Sequence, residues 1–151
     1  MKILQVVGYK NTGKTTLITD LVHLIKANDK TVAVIKNHHL EEKVDDSTDT
    51  GKFFEAGSDY TVLTTPGHVM LLENRQVTLT RLLERFQNEA VDFVLVEGFK
   101  QENYSKILLT FSFDDGETDI NQIGLKNVLN YFDMRYDNKR ALEWFKEWGN
   151  L

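Results

Sequence analysis

The sequence predicts an α/β fold in three layers, an open and mostly parallel sheet with an antiparallel hairpin attached, as one domain over residues 1–151. Three observations predict it. Short β-like apolar runs alternate with helical patterns along the chain. The first such run, Ile3 to Val7, leads straight into the glycine-rich segment Gly8 to Thr15, which opens a helix. The most apolar run, Val91 to Val96, has the character of a strand buried on both faces and is expected at the centre of the sheet.

Each element has its own warrant. Leu17, Leu21, Leu24 and Ile25 mark one face of the helix that follows the first strand. Thr31 to Ile35 reads as a second strand because Val32, Val34 and Ile35 favour the pleat. The helix between them makes the two strands parallel. A short helix around Lys52 to Glu55 closes at Gly57, which can take a left-handed cap. Tyr60 to Thr65 and His68 to Glu73 form a hairpin around Pro66-Gly67. Thr78 caps a helix that carries Leu79, Leu82, Leu83 and Phe86 on one side. Ile107 to Phe111 is another strand, and Asp114-Asp115-Gly116-Glu117 an exposed turn. Leu142, Trp144, Phe145 and Trp148 belong to a closing amphipathic helix. Residues 120–137 carry no pattern that assigns them.

Composition narrows the function. A chain of 151 residues with 41% hydrophobic and 27% charged residues is ordinary globular material. At this size folding buries roughly 68–70% of the surface of the unfolded chain. A net charge of −5 disfavours a nucleic-acid or anionic-membrane partner, while leaving room for a small basic pocket. Without cysteine there is no disulfide, thiolate metal site or thiol nucleophile. The chain opens on a strand rather than a signal-like apolar core, and its longest aliphatic run in the hairpin region is Val69 to Leu72. A soluble, cytoplasmic protein is expected.

The segment Gly8-Tyr9-Lys10-Asn11-Thr12-Gly13-Lys14-Thr15 fits G-x-x-x-x-G-K-[ST] without a mismatch. The glycines let the backbone curl so that N–H groups point inward at phosphate oxygens. Lys14 supplies positive charge toward the outer phosphates, and the Thr15 hydroxyl suits Mg²⁺. The helix N-terminus adds its own positive end. A glycine-rich turn would match by accident in a chain of this length about once in two hundred. The strand before the motif and the helix after it favour a phosphate cradle over that accident.

Phe93-Val94-Leu95-Val96-Glu97 then offers an acidic residue at the carboxyl end of a buried strand, where open α/β sheets bind ligands. Glu97 is a candidate to orient a metal-bound water or polarise an attacking one. A surface glutamate at a strand end is the plainer reading, and the nearby cradle argues against it. Lys36, Asn37, His38 and His39 fall on the same rim, as a polar loop without metal-ligand spacing. Glu41, Glu42, Asp45, Asp46 and Asp49 form an acidic stretch that is ordinarily just solvated.

Three stretches together resemble the GTP-binding adaptor family of molybdopterin–guanine dinucleotide biosynthesis. They are Gly8 to Thr16, including the second threonine; Asp49 to Gly57, with its Ala-Gly ending; and Val96-Glu97-Gly98-Phe99-Lys100 followed by Lys106-Ile107. The resemblance runs from Ile3 to about Phe111. Lys36-Asn37-His38-His39 departs from the family's Lys-His pattern, and Leu125 to Asp133 only loosely fits its final Asp-ended strand.

The resemblance implies a P-loop NTPase fold that binds GTP with Mg²⁺ through Gly8, Lys10, Asn11, Thr12, Gly13, Lys14, Thr15 and Thr16. It implies metal-side roles for Thr15, Asp49 and Glu97, and slow hydrolysis at most, with Glu97 and Lys14 as its residues. It also implies a homodimer that assists the guanylyltransferase joining GMP to the molybdenum cofactor. Guanine rests on the resemblance alone, because the Asn-Lys-x-Asp motif is absent.

Two rival classes share the loop. A small-molecule kinase needs mobile arginines over the transferred group, and the chain has only Arg75, Arg81, Arg85, Arg135 and Arg140. A metal-insertion GTPase needs ligands for its cargo, and only His38 and His39 offer themselves. The hairpin carries apolar residues on both faces, which predicts a two-fold partner unless Trp144, Phe145 and Trp148 cover it. Lys14 is expected on the exposed rim of the loop.

Overall fold

A computed structural model of the chain describes residues 1–38, 47–110 and 124–151. They form two compact units, Met1–Asn37 with Leu82–Leu151, and His38–Arg81. The first unit contains β1 (Lys2–Gly8), α1 (Lys14–Ala27), β2 (Val32–Lys36), β5 (Phe93–Glu97), β6 (Lys106–Thr110), β7 (Val128–Asp133) and α4 (Asn138–Gly149). The second contains α2 (Asp49–Glu55), β3 (Tyr60–Thr64) and β4 (Val69–Glu73). Helix α3 (Leu79–Asn88) begins at the end of the second unit and runs into the first.

The first unit is built on a five-stranded sheet in the order β2-β5-β1-β6-β7 with every neighbouring pair parallel. The first two strands of the sequence are parallel as expected, with β5 inserted between them. The expectation that Val91 to Val96 is central needs correction. β1 holds the centre and β5 lies one place out, still flanked on both sides. β1 reads as less apolar because it carries a buried glutamine and ends in the glycine that starts the phosphate loop.

Alternation along the strands separates two faces. Leu4, Val6, Phe93, Leu95, Ile107, Leu109 and Phe132 join Leu17, Leu21 and Ile25 of α1 and Phe145 of α4 in one core cluster. Each fully buried Leu or Phe of this kind stabilises the fold by about 1.5–3 kcal/mol. The closing helix is locked there by its aromatics: Phe145 packs on Phe93 at 5.8 Å and Trp144 on Phe132 at 5.9 Å between ring centroids. Lys2 donates to the carbonyls of Trp148 and Gly149 at 2.8 and 2.9 Å, placing a cation at the negative end of α4. The opposite face of β1, β5 and β6 carries Gln5, Val7, Val94, Val96, Lys106 and Leu108, all buried.

In the second unit, Thr48 caps α2 by accepting from the Gly51 amide at 3.1 Å. Gly57 follows the helix with φ +97°, as the cap argument requires. β3 and β4 pair antiparallel, with Val62 opposite Leu71 and Leu63 opposite Met70. The region left unassigned contains β7, which pairs with β6 through a register shift at Lys106/Ile107. The acidic turn at 114–117, Phe111, His39 and the acidic residues 41, 42, 45 and 46 lie outside the described residues. Among the described residues no helix is long and apolar enough to cross a membrane.

Candidate nucleotide site

The site assembles at the carboxyl ends of β1 and β5. Gly8 must be glycine because a Cβ there would stand 2.6 Å from the Leu109 carbonyl oxygen and 2.7 Å from Thr12 Oγ1. The backbone turns through left-handed conformations at Asn11 (φ 64°) and Gly13 (φ 83°), and α1 starts immediately afterwards. No side chain caps α1 at Gly13, and its first turn carries no acidic residue. The positive end of the helix is therefore not neutralised from within its own first turn. Thr12 is buried and donates to the Tyr9 carbonyl at 2.9 Å, bracing the curl from inside. Thr15 and Thr16 are exposed at the head of the helix, and Lys10 and Asn11 are exposed on the loop.

Lys14 departs from its expected place on the exposed rim. It is half-buried, and its Nζ donates to the carbonyls of Tyr9 at 2.5 Å and Gly8 at 3.2 Å. A free ammonium on a short glycine-rich loop satisfies its donors on the nearest carbonyls. Burial lowers its pKa; the negative charge of Glu97 opposes that, and the ammonium groups of Lys100 and Lys36 add to it. Three lysines thus converge near one carboxylate, an arrangement that an anionic ligand would relieve.

Glu97 ends β5, in register with Val6 of β1 and Lys36 of β2. Its carbonyl accepts from the Asn37 amide at 2.9 Å, which fixes the start of the turn that follows. Lys100 stands over the Tyr9 ring at 5.7 Å from the centroid, so the segment after β5 contacts the phosphate loop directly. A small cavity of about 90 Å³ lies beside the loop, lined by Val7, Gly8, Tyr9, Lys100, Leu108 and Leu125. The loop, Lys14 and Glu97 are therefore brought together within the first unit. Asp49 belongs to the second unit, where it opens α2 and pairs with Lys52 at 3.5 Å. Among the described residues no cluster of three or more His, Asp or Glu forms a ready-made metal cage.

Two polar residues of this neighbourhood were given no role by sequence reasoning, although Lys106 falls in one of the stretches that carry the resemblance. Gln5 and Lys106 are fully buried and sit in register on adjacent strands. Lys106 Nζ donates to the carbonyls of Lys126, Glu102 and Tyr104 at 2.6, 2.7 and 3.1 Å, and burial holds its pKa below the ordinary lysine value. The available signal was a polar residue in the middle of one apolar strand and at the head of another.

Comparison with known proteins gives the family. Residues 3–122 match the family described as MobB, molybdopterin guanine dinucleotide synthesis protein B. The chain is 38% identical over 102 residues to a putative molybdopterin-guanine dinucleotide biosynthesis adapter protein of Methanocaldococcus jannaschii, covering 67% of this chain and 42% of that one. It is 38% identical over 110 residues to the corresponding adapter protein of Haemophilus influenzae, covering 71% and 62%. The match thus spans about two-fifths to three-fifths of the length of these curated relatives. Among solved structures, a MobB homolog from Bacillus stearothermophilus aligns over 99% of both chains with a TM-score of 0.75 and 25% identity. A Bacillus subtilis MobB structure aligns over 87% of this chain and 80% of that one, with a TM-score of 0.66 and 31% identity. With its phosphate-loop geometry and a family match across most of its length, the chain belongs to the MobB family.

Proposed function

We propose that this chain is a GTP-binding adaptor of molybdopterin guanine dinucleotide biosynthesis. In this reading it assists the guanylyltransferase that joins GMP to the molybdenum cofactor, and it acts in the cytoplasm as a homodimer. The observation that carries the reading is the glycine-walled loop, with Lys14 folded onto its carbonyls and Lys36, Lys100 and Glu97 around it. The loop amides, Lys10, Asn11, Thr12 and the N-terminus of α1 would hold the phosphates. Lys14 would exchange its carbonyl partners for phosphate oxygens, and Thr15 and Thr16 stand exposed beside them. Thr15 and Glu97 would face Mg²⁺, which neutralises phosphate charge when bound, and Asp49 of the second unit keeps only the metal-side role that the resemblance implies. Slow hydrolysis is the most such a site is expected to perform.

The kinase reading is disfavoured by the arginines. Arg75, Arg85, Arg135 and Arg140 each pair with a carboxylate two to four residues away, which leaves little for a lid over a transferred phosphoryl group. The hairpin's exposed Val62, Val69 and Met70 favour association with a second copy. The direct experiment is calorimetric titration with GTP and ATP, each with Mg²⁺ and with EDTA. GTP should bind more tightly than ATP, and Mg²⁺ should strengthen it. Equal affinity for the two nucleotides would return the kinase reading to the front.

A further inference from the structure

We propose that Gln5 is a positioning residue for this site: its side-chain amide fixes the Gly98–Phe99 backbone, and through it Glu97 and Lys100, which flank the phosphate loop. The proposal rests on the nucleotide-binding reading above and adds a residue that touches neither phosphate nor metal.

Gln5 lies in β1, three residues before Gly8, and is fully buried. Its Nε2 donates to the Phe99 carbonyl at 2.9 Å and the Gly98 carbonyl at 3.2 Å. Its Oε1 has no hydrogen-bond partner among the described residues. A buried acceptor left unpaired carries a desolvation penalty that a methionine of similar length would avoid. The amide is therefore costly as packing material, and what it contributes is its grip on two carbonyls.

Those carbonyls belong to a turn that needs gripping. Gly98 has φ +97° and Phe99 φ +51°, so a bulky residue occupies the left-handed region. Asn37 closes the turn from the other side: a Cβ at position 98 would stand 3.0 Å from Asn37 Cβ and 3.1 Å from its carbonyl oxygen. The turn is thus held between β1 and the end of β2. Glu97 precedes it and Lys100 follows it, the latter seated over Tyr9 of the loop. A slackened turn would loosen both groups together. Lys106 provides an internal comparison, because it ties down Glu102 and Tyr104 further along the same segment, beyond Lys100.

The test compares the parent, Gln5→Met and Lys106→Met by GTP titration with Mg²⁺ and with EDTA, and by amide hydrogen exchange. In Gln5→Met, exchange at residues 98–101 should quicken by about tenfold or more, as a locally opened turn requires. The Mg²⁺-dependent gain in GTP affinity should fall by about tenfold (about 1.4 kcal/mol), while affinity in EDTA is preserved. Lys106→Met should lower the thermal midpoint and leave the Mg²⁺ gain intact. Gln5→Asn, which draws the amide back by one methylene, carries the same test if Gln5→Met does not fold. Unchanged exchange at 98–101 overturns the proposal whatever the nucleotide result. So does a full Mg²⁺ gain in Gln5→Met, or an equal loss of affinity with and without Mg²⁺. A parent that shows no GTP binding contradicts the functional reading instead, and the exchange then decides the clamp by itself.

Discussion

In the sheet unit, β1 is buried from Leu4 to Gly8 and β5 from Phe93 to Val96; in the hairpin unit, Thr61 is the one buried residue of β3 and β4. The hairpin nevertheless spends its apolar residues freely, with Val62 57% and Val69 72% exposed on one face and Met70 52% exposed on the other. A two-stranded ribbon is at best marginally stable alone in water. The difference teaches how the chain divides its work. The parallel sheet buries its three inner strands, with α1 and α4 packed on one face of them. The hairpin leaves its apolar residues exposed, and on the proposed reading that surface serves association. Trp144, Phe145 and Trp148, which might have covered it, are engaged with Phe93, Phe132 and one another in the core of the first unit.

The largest expected effect falls on the closed region. Lys14→Ala should cost about hundredfold in GTP affinity, near 2.7 kcal/mol, measured by titration with Mg²⁺. Because Lys14 is half-buried on loop carbonyls, a modest drop in thermal midpoint should accompany it. Retained affinity would show that the loop does not hold phosphate and would erase the contrast between the units.

A glycine pair sharpens the contrast. Gly8→Ala forces a Cβ against the Leu109 carbonyl at 2.6 Å and should destabilise by about 1–3 kcal/mol in denaturant melts. Gly67→Ala, at the hairpin turn with nothing within 4 Å, should stay within about 0.5 kcal/mol of the parent. Equal costs would mean that the loop is no more tightly walled than the hairpin turn.

The smallest effect is electrostatic. Asp92 accepts from the Thr31 amide at 2.8 Å and the Thr31 hydroxyl at 2.9 Å, clipping the starts of β2 and β5. These bonds hold its pKa below the ordinary 3.8. The folded state therefore prefers the carboxylate: the stabilisation is complete above pH 3.8 and fades as pH falls through the lower folded value. Asp92 is partly exposed and screened by water, so the difference should be slight. Thermal melts below pH 4 should show a shallower decline for Asp92→Asn than for the parent.

What was legible in the sequence was local. The strand–loop–helix of residues 2–27 is written in adjacent residues, as is the hairpin around Pro66-Gly67, and both stand where the pattern placed them. β7 was not legible. Its burial alternates only partly, with Phe132 the one residue fully enclosed, so period-two patterning is faint. Its place comes from pairing with β6, a contact no local window contains. The loop and Glu97 could be proposed from sequence because the chemistry proposed for them demands particular residue types. Gln5 could not, because a lone polar residue in a strand looks solvent-facing until the segment after Glu97 folds back to meet it. Lys14 was legible in kind and missed in setting, since its carbonyl partners are set by the curl of the loop.

The proposed division between a sheet unit that holds nucleotide and a hairpin that associates is tested most directly in the double variant Val69→Lys/Leu71→Lys. Light scattering at micromolar concentration and GTP·Mg²⁺ titration would be run on the same preparation. The account predicts a dimeric parent, a soluble monomeric variant, and GTP affinity unchanged within about twofold. A monomeric parent, or a variant that loses GTP binding along with association, would contradict it.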